Sequence, residues 1–170
     1  MSSIAQRLRH LALAVSDSMS LGLLFSDLWA QMRSGAMASA GMAIKGAGNA
    51  HFKTVNLIDV LVNGVLVSLA ANTASGALAG TILQNNFGGW VYYVNAAGAV
   101  VTQFMNQAAT LAGVTWPATP AGYTPIGYVR LNPTTAAFIG ATTALDAANT
   151  NAVYGNFVGP FDPGSSLFAA

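Results

Sequence analysis

The sequence predicts an α+β chain that is mainly β. N-terminal amphipathic helices span 1–34 and a Gly/Ala-rich arm or linker 35–53; an antiparallel β-sandwich or barrel-like domain follows over 54–160, then a C-terminal tail, 161–170. Three observations carry that reading. Ile4, Leu8, Leu11 and Val15 recur at steps of four, three and four, which places them on one helical face. Asn63-Gly64 separates two β-prone runs, and a two-residue type I′ turn needs positive φ at both central positions, which Asn and Gly tolerate best. Trp90-Val91-Tyr92-Tyr93-Val94 is aromatic and β-branched, and the turn-forming Asn95-Ala96-Ala97-Gly98 follows it.

Taken in order, the first stripe ends at Ser16-Asp17-Ser18-Met19-Ser20, where short polar side chains compete for backbone groups and favour caps over helix interiors. A second stripe follows: Leu21, Leu24, Phe25, Leu28, Trp29 and Met32, with Asp17 or Ser20 near its first turn and Arg33 near its last, matching the helix dipole. Ser34-Gly35 stops it. Such stripes serve either as core packed on their own domain or as contacts with another chain. Residues 35–53 mix Gly, Ala, Ser and Met without a period, so they read as an arm ordered by neighbouring subunits or as a flexible connector.

Strands are expected over 54–62 and 65–71, a short helix over 74–83 weakened by Gly76 and Gly80, and a second hairpin from 90–94 and 99–104. Three prolines between Trp116 and Pro125 predict an extended surface loop. Strands at 126–131, 136–139 and 152–158 follow, with one helical turn at 143–148. Pro160, Pro163 and Gly164 then end regular structure ahead of Leu167 and Phe168.

Composition bears on function more than any motif. Only 6% of the 170 residues are charged while 54% are hydrophobic, against roughly a quarter charged in an ordinary soluble domain. Six basic and five acidic groups cannot give a monomer the mixed charged exterior that normally opposes association, which points to a subunit of a large assembly. The competing reading is an Ala/Gly-rich monomer covered by Ser, Thr, Asn and Gln. Residues 1–53 hold five basic groups and two acidic ones; beyond them Arg130 stands against Asp59, Asp146 and Asp162. The first third is thus positive and the remainder negative, so copies can attract head to tail. With no cysteine, neither disulfides nor thiolate-metal sites contribute. Asp17, Asp27, Asp59 and Asn63 interrupt every candidate membrane span, and Asp17 with its neighbouring serines argues against a cleaved leader.

Catalytic chemistry finds little here. His10 and His51 lie far from other ligand-type residues and read as surface and linker residues, and no pair of carboxylates or nucleophile with His is evident. Asp59 and Asp146 suit turn ordering or pairing with Arg130 better than calcium, whose loop spacing is missing. The Gly46-Ala47-Gly48 run lacks the third glycine of a dinucleotide loop. No enzyme activity, cofactor, metal, nucleic acid or membrane is therefore expected. The candidate exposed aromatics are Trp90, Trp116 and Tyr123, and the candidate assembly interface comprises the two stripes with Arg33, Lys45 and Lys53.

The segment from Ala43 to Phe157 resembles virion structural proteins of tailed bacteriophages, of the capsid decoration (cement) or head-fibre kind. The resemblance lies in an order of features: the Gly-rich lead with Lys45 and Lys53, the Asn63-Gly64 hairpin and the aromatic strand ending Asn95-Ala96-Ala97-Gly98. It continues through the loop from Pro117 to Pro125, Ile126-Gly127-Tyr128-Val129, Phe138 and Thr142-Thr143-Ala144-Leu145-Asp146. It covers about two thirds of the chain, without residues 1–34. It implies a β domain on the outer capsid surface, partnered by the major capsid protein and by copies of itself, a trimer being one symmetric form. The alternative is a receptor- or glycan-binding fibre or spike module using the exposed aromatics.

Overall fold

A computed structural model of the chain describes residues 34–159. The two predicted N-terminal helices, from Ile4 to Arg33, and the tail lie outside the described residues. Eleven strands account for the regular structure apart from one 3₁₀ turn, Leu111–Gly113, and no α-helix occurs among the described residues. The sheets are antiparallel and none closes into a barrel.

The main sheet has four strands in the order β11-β9-β7-β8: β7 is Gly88–Asn95, β8 Val100–Phe104, β9 Tyr123–Leu131 and β11 Val153–Asn156. A second sheet has the order β1-β4-β5, with β1 Gly35–Ala36, β4 Ile58–Val62 and β5 Val65–Leu69. Two ribbons complete the set: β2 Ala43–Ile44 with β3 Phe52–Lys53, and β6 Thr81–Ile82 with β10 Phe138–Ile139.

Both expected hairpins form. Asn63 and Gly64 have φ of +50° and +83°, the two positive values that the tight turn requires. At the second hairpin the Gly98 amide donates to the Asn95 carbonyl at 2.9 Å, and the Asn95 side-chain oxygen accepts from Ala97 and Ala99 amides. Gly98, at φ +76°, supplies the left-handed residue of this three-residue loop.

Alternation along β7 divides its side chains between two apolar clusters. Trp90, Tyr92 and Val94 face the second sheet, joining Ile58, Val60, Val62, Val67 and Leu69. Val91 and Tyr93 face the other way and pack with Met105, Val114 and Phe157, so the stretch 105–117 covers a face that antiparallel sheets often leave to water. Pro125 would break a regular ladder, yet it lies inside β9. The register shifts between Tyr92 and Tyr93, pairing them with Gly127 and Pro125, so Ile126 is an extra residue and the bulge accommodates the missing N–H.

The structure corrects three expectations. Residues 35–53 are part of the body: β1 pairs with β4, β2 with β3, and Ala36, Ala40, Met42, Ala50 and Phe52 are buried. Phe52 meets the Tyr92 ring edge-on at 5.3 Å. No helix forms over 74–83; Gly80 sits at φ +107°, β6 pairs with β10, and the Gly140 amide donates to the Gly80 carbonyl at 2.9 Å. The helical turn expected at 143–148 is a series of turns that ends on Thr150, whose hydroxyl donates to the Leu145 and Ala147 carbonyls.

Two substitutions test this packing. Phe52→Ala should cost about 3–5 kcal/mol in denaturant unfolding; an unchanged midpoint would return residues 35–53 to the status of an appended arm. A Cβ on Gly89 would lie 2.1 Å from the Val129 carbonyl oxygen. Gly89→Ala should therefore destabilise by about 3 kcal/mol, because backbone of the paired strand must shift.

Candidate assembly surfaces

The described exterior is almost without charge, and three of its ionic groups are held locally. Lys53 donates to the Asn72 side-chain oxygen at 2.7 Å. The Ser68 hydroxyl donates to the Asp59 carboxylate across the β4–β5 pair, and the Gly48 amide donates to Asp146 at 2.9 Å. Asp146 thus orders a turn, the first of the uses expected for it, while Asp59 is bound by a side chain of the neighbouring strand. Lys45 is exposed at the start of the β2–β3 connection, where its amide donates to the His51 carbonyl. Of the proposed interface residues, Lys45 and Lys53 sit in the β body and the rest lie outside the described residues.

His51 is no linker residue. Its Nδ1 lies 2.9 Å from the Gly76 carbonyl and 3.2 Å from that of Ser75, and since carbonyls only accept, Nδ1 carries the proton. Among the described residues no three His, Asp, Glu or Cys side chains gather closely enough to hold a metal ion.

The exposed-aromatic expectation fails for Trp90, which is 1% exposed. Its indole N–H donates to the Ala79 carbonyl at 2.8 Å, and its ring packs on Phe104 and Phe138. Trp116 and Tyr123 are half-buried against the second apolar cluster. Trp116 meets Tyr128 and Phe157 edge-on at 5.1 and 5.2 Å. Sequence alternation marks which residues share a face but not whether that face is covered; Trp90 faces the β1-β4-β5 sheet, and Trp116 belongs to the stretch that covers the opposite face.

Water instead meets aliphatic side chains on several sides. Val55 and Leu57, 48% and 63% exposed, precede β4. Leu83 and Ile139 project from the outer side of the β6–β10 ribbon, opposite the buried Ile82 and Phe138. Val153 stands on the edge strand β11. The outer face of the β1-β4-β5 sheet holds a groove of about 530 Å³ lined by Met37, Leu61, Leu66 and Val158, with Ser34 and Gly159 among its lining residues. A smaller hollow of about 310 Å³ lies between Ile44, Leu145, Asp146, Thr150 and Tyr154. Among the described residues it holds one carboxylate, Asp146, beside the Tyr154 phenol.

No family model, no curated protein and no solved structure matches this chain.

The buried phenols make stability sensitive to alkali. Burial, with the nearby Asp146 charge adding to it, pushes Tyr154 up from 10.0 to about 12; burial does the same for Tyr93, partly offset by a hydrogen bond with Thr119. Burial also raises Tyr92. In the unfolded chain these groups lose protons near pH 10 while the folded chain retains them, so their contribution is full below pH 10 and declines as pH rises towards 12. Unfolding free energy should fall across that window, and Tyr154→Phe should flatten the slope; a curve level from pH 9 to 12 would contradict the burial.

Proposed function

We propose that this chain is a structural virion protein that binds the outside of a phage capsid and stabilises the shell by bridging neighbouring capsomers. The observation that carries the reading is the exterior: large aliphatic side chains stand in water on several sides of a body with hardly any ionic surface. Solvating that surface is unfavourable by ~25 cal/mol per Å² of apolar area, so contact with other subunits is favoured. A protein held in a lattice meets neighbours in more than one direction, and repetition over the shell turns weak contacts into firm attachment through avidity. The sequence resemblance to decoration and head-fibre proteins agrees with this picture.

In this proposal the β body is the oligomeric part, and attachment falls to residues 1–34 alone, since 35–53 belong to the core. A receptor- or glycan-binding fibre module remains the second reading, but it has lost Trp90 from its proposed contact surface.

Copy number and position on purified particles test the proposal. Many copies spread over the head are expected; a few copies at one vertex or on the tail would establish the fibre reading, and absence from particles would end both. Leu57→Asp with Ile139→Asp should leave unfolding free energy within about 0.5 kcal/mol, because both side chains are exposed, while weakening self-association in sedimentation. A strictly monomeric parent protein at high concentration would contradict the association argument.

A further inference from the structure

Among the described residues the β1-β4-β5 sheet has one open edge. On its β1 side Ala36 bridges to Gly159, whose amide donates to the Ala36 carbonyl at 2.8 Å. On the other side β5 ends the strand order. The ladder fixes which backbone groups face that open edge. The Met37 amide donates to the Asp59 carbonyl at 2.9 Å, so Asp59 turns its backbone towards β1. Alternation then turns Ile58, Val60 and Val62 towards β5, where they oppose Leu69, Val67 and Val65. Leu66 and Ser68 are left with N–H and C=O aimed outward, and no hydrogen bond among the described residues takes these backbone groups. We propose that two copies of this chain pair β5 with β5, antiparallel about a two-fold axis at Val67, and so join their three-stranded sheets into one.

Three observations select a second copy as the occupant. First, the edge lacks the devices that normally prevent a strand from pairing with its own kind. Residues 65–71 contain no proline and no charge, and the β4–β5 register runs without a bulge. The edges of the main sheet are less open, because β8 is half-buried throughout and the Asn156 side chain of β11 holds the Met42 amide.

Second, the strand complements itself in one register. With the axis at Val67, Leu66 stands opposite the partner's Ser68, and every outward amide meets an outward carbonyl. An axis at Ser68 would oppose Leu66 to the partner's Ala70, whose carbonyl already accepts from the Thr54 and Thr73 hydroxyls. An axis at Leu66 would oppose Ser68 to the partner's Gly64, in the turn at φ +83°.

Third, this register covers apolar side chains and brings no charges together. Val65, 50% exposed, comes to lie beside the partner's Leu69. Leu66, 59% exposed, stands diagonal to the partner's Leu66 at about 7–8 Å, within reach of a long side chain. Asp59 keeps its hydrogen bond from Ser68 within its own copy. Strand spacing sets the two Asp59 carboxylates about 15 Å apart, beyond the ~8 Å screening length. A two-fold contact of this kind uses the same edge of both copies and closes on itself. It does not depend on the capsid proposal.

Amide hydrogen exchange of the unaltered full chain at rising concentration tests the pairing. The Leu66 and Ser68 amides should gain at least about tenfold protection between dilute and concentrated protein, while those of Val65 and Val67, bonded to β4, stay protected throughout. Protection of Leu66 and Ser68 that is independent of concentration would assign the edge to this chain's own residues outside 34–159. Loop-like exchange of both amides where sedimentation shows association would place the self-contact elsewhere and leave the capsid proposal standing. Either result overturns the pairing. Leu66→Pro removes an outward amide and keeps the bonds to β4, as edge strands allow. It should weaken the dimer about tenfold in sedimentation with circular dichroism matching the parent, whereas Leu66→Ala, which keeps the amide, should weaken it less. Equal weakening by both would mean a side-chain contact without strand pairing and would also overturn the proposal.

Discussion

The burial of β7 on both faces is the constraint from which the rest of this architecture follows. Every residue from Gly88 to Val94 is buried, although antiparallel sheets ordinarily need cover on one side only. One cover is the β1-β4-β5 sheet; the other is the irregular stretch containing Met105, Val114 and Trp116. A strand clad in this way can be almost wholly apolar, which is why Trp90-Val91-Tyr92-Tyr93-Val94 tolerates no polar interruption. It also demands close approach from its neighbours, and Gly89 lies so near the β9 backbone that no side chain fits.

Covering a strand with irregular chain raises a difficulty, because buried carbonyls outside a ladder need donors. The aromatic tips of β7 provide them. Trp90 donates to the Ala79 carbonyl, Tyr92 to those of Ala74 and Thr73, and Tyr93 to that of Pro117. The same three rings that fill the core therefore also fasten chain between the strands, and the 72–75 stretch is bonded besides through its backbone to Phe52 and Thr54. Much of the chain outside the strands is held by single polar contacts of this kind, as with His51 on the Gly76 carbonyl and Asn156 on the Met42 amide.

The local parts of this arrangement were legible in the sequence. Asn63-Gly64 and Asn95 to Gly98 specify their turns through residues that accept the required φ, and the flanking strands follow with small differences in length. What escaped was non-local. Residues 35–53 form strands of only two residues, whose partners lie at 60–61 or across a short Gly-rich turn, so no periodicity marked them. Pro125 suggested a loop because the bulge that admits it depends on how β9 aligns with β7. Trp90 looked available for ligand contact because alternation groups it with Tyr92 and Val94 without saying that their face of β7 meets the β1-β4-β5 sheet. Among the candidate functional residues, low charge pointed to the exterior as a whole, while the individual aliphatic positions depend on sheet pairing.

A scarcely charged exterior and a doubly covered strand belong to the same physical account: apolar side chains are divided between a core sealed on two sides and positions that stand in water. The account requires residues 35–53 and β7 to form one cooperative unit, because Phe52 packs on Tyr92 and β1 completes the covering sheet. Native-state hydrogen exchange of the full chain measures this directly. The ladder amides of β7 and the Lys45 and Val55 amides, bonded to the His51 and Ala40 carbonyls, should exchange with a common opening free energy and a common denaturant dependence. Exchange of the Lys45 and Val55 amides at loop-like rates while β7 stays protected would contradict it.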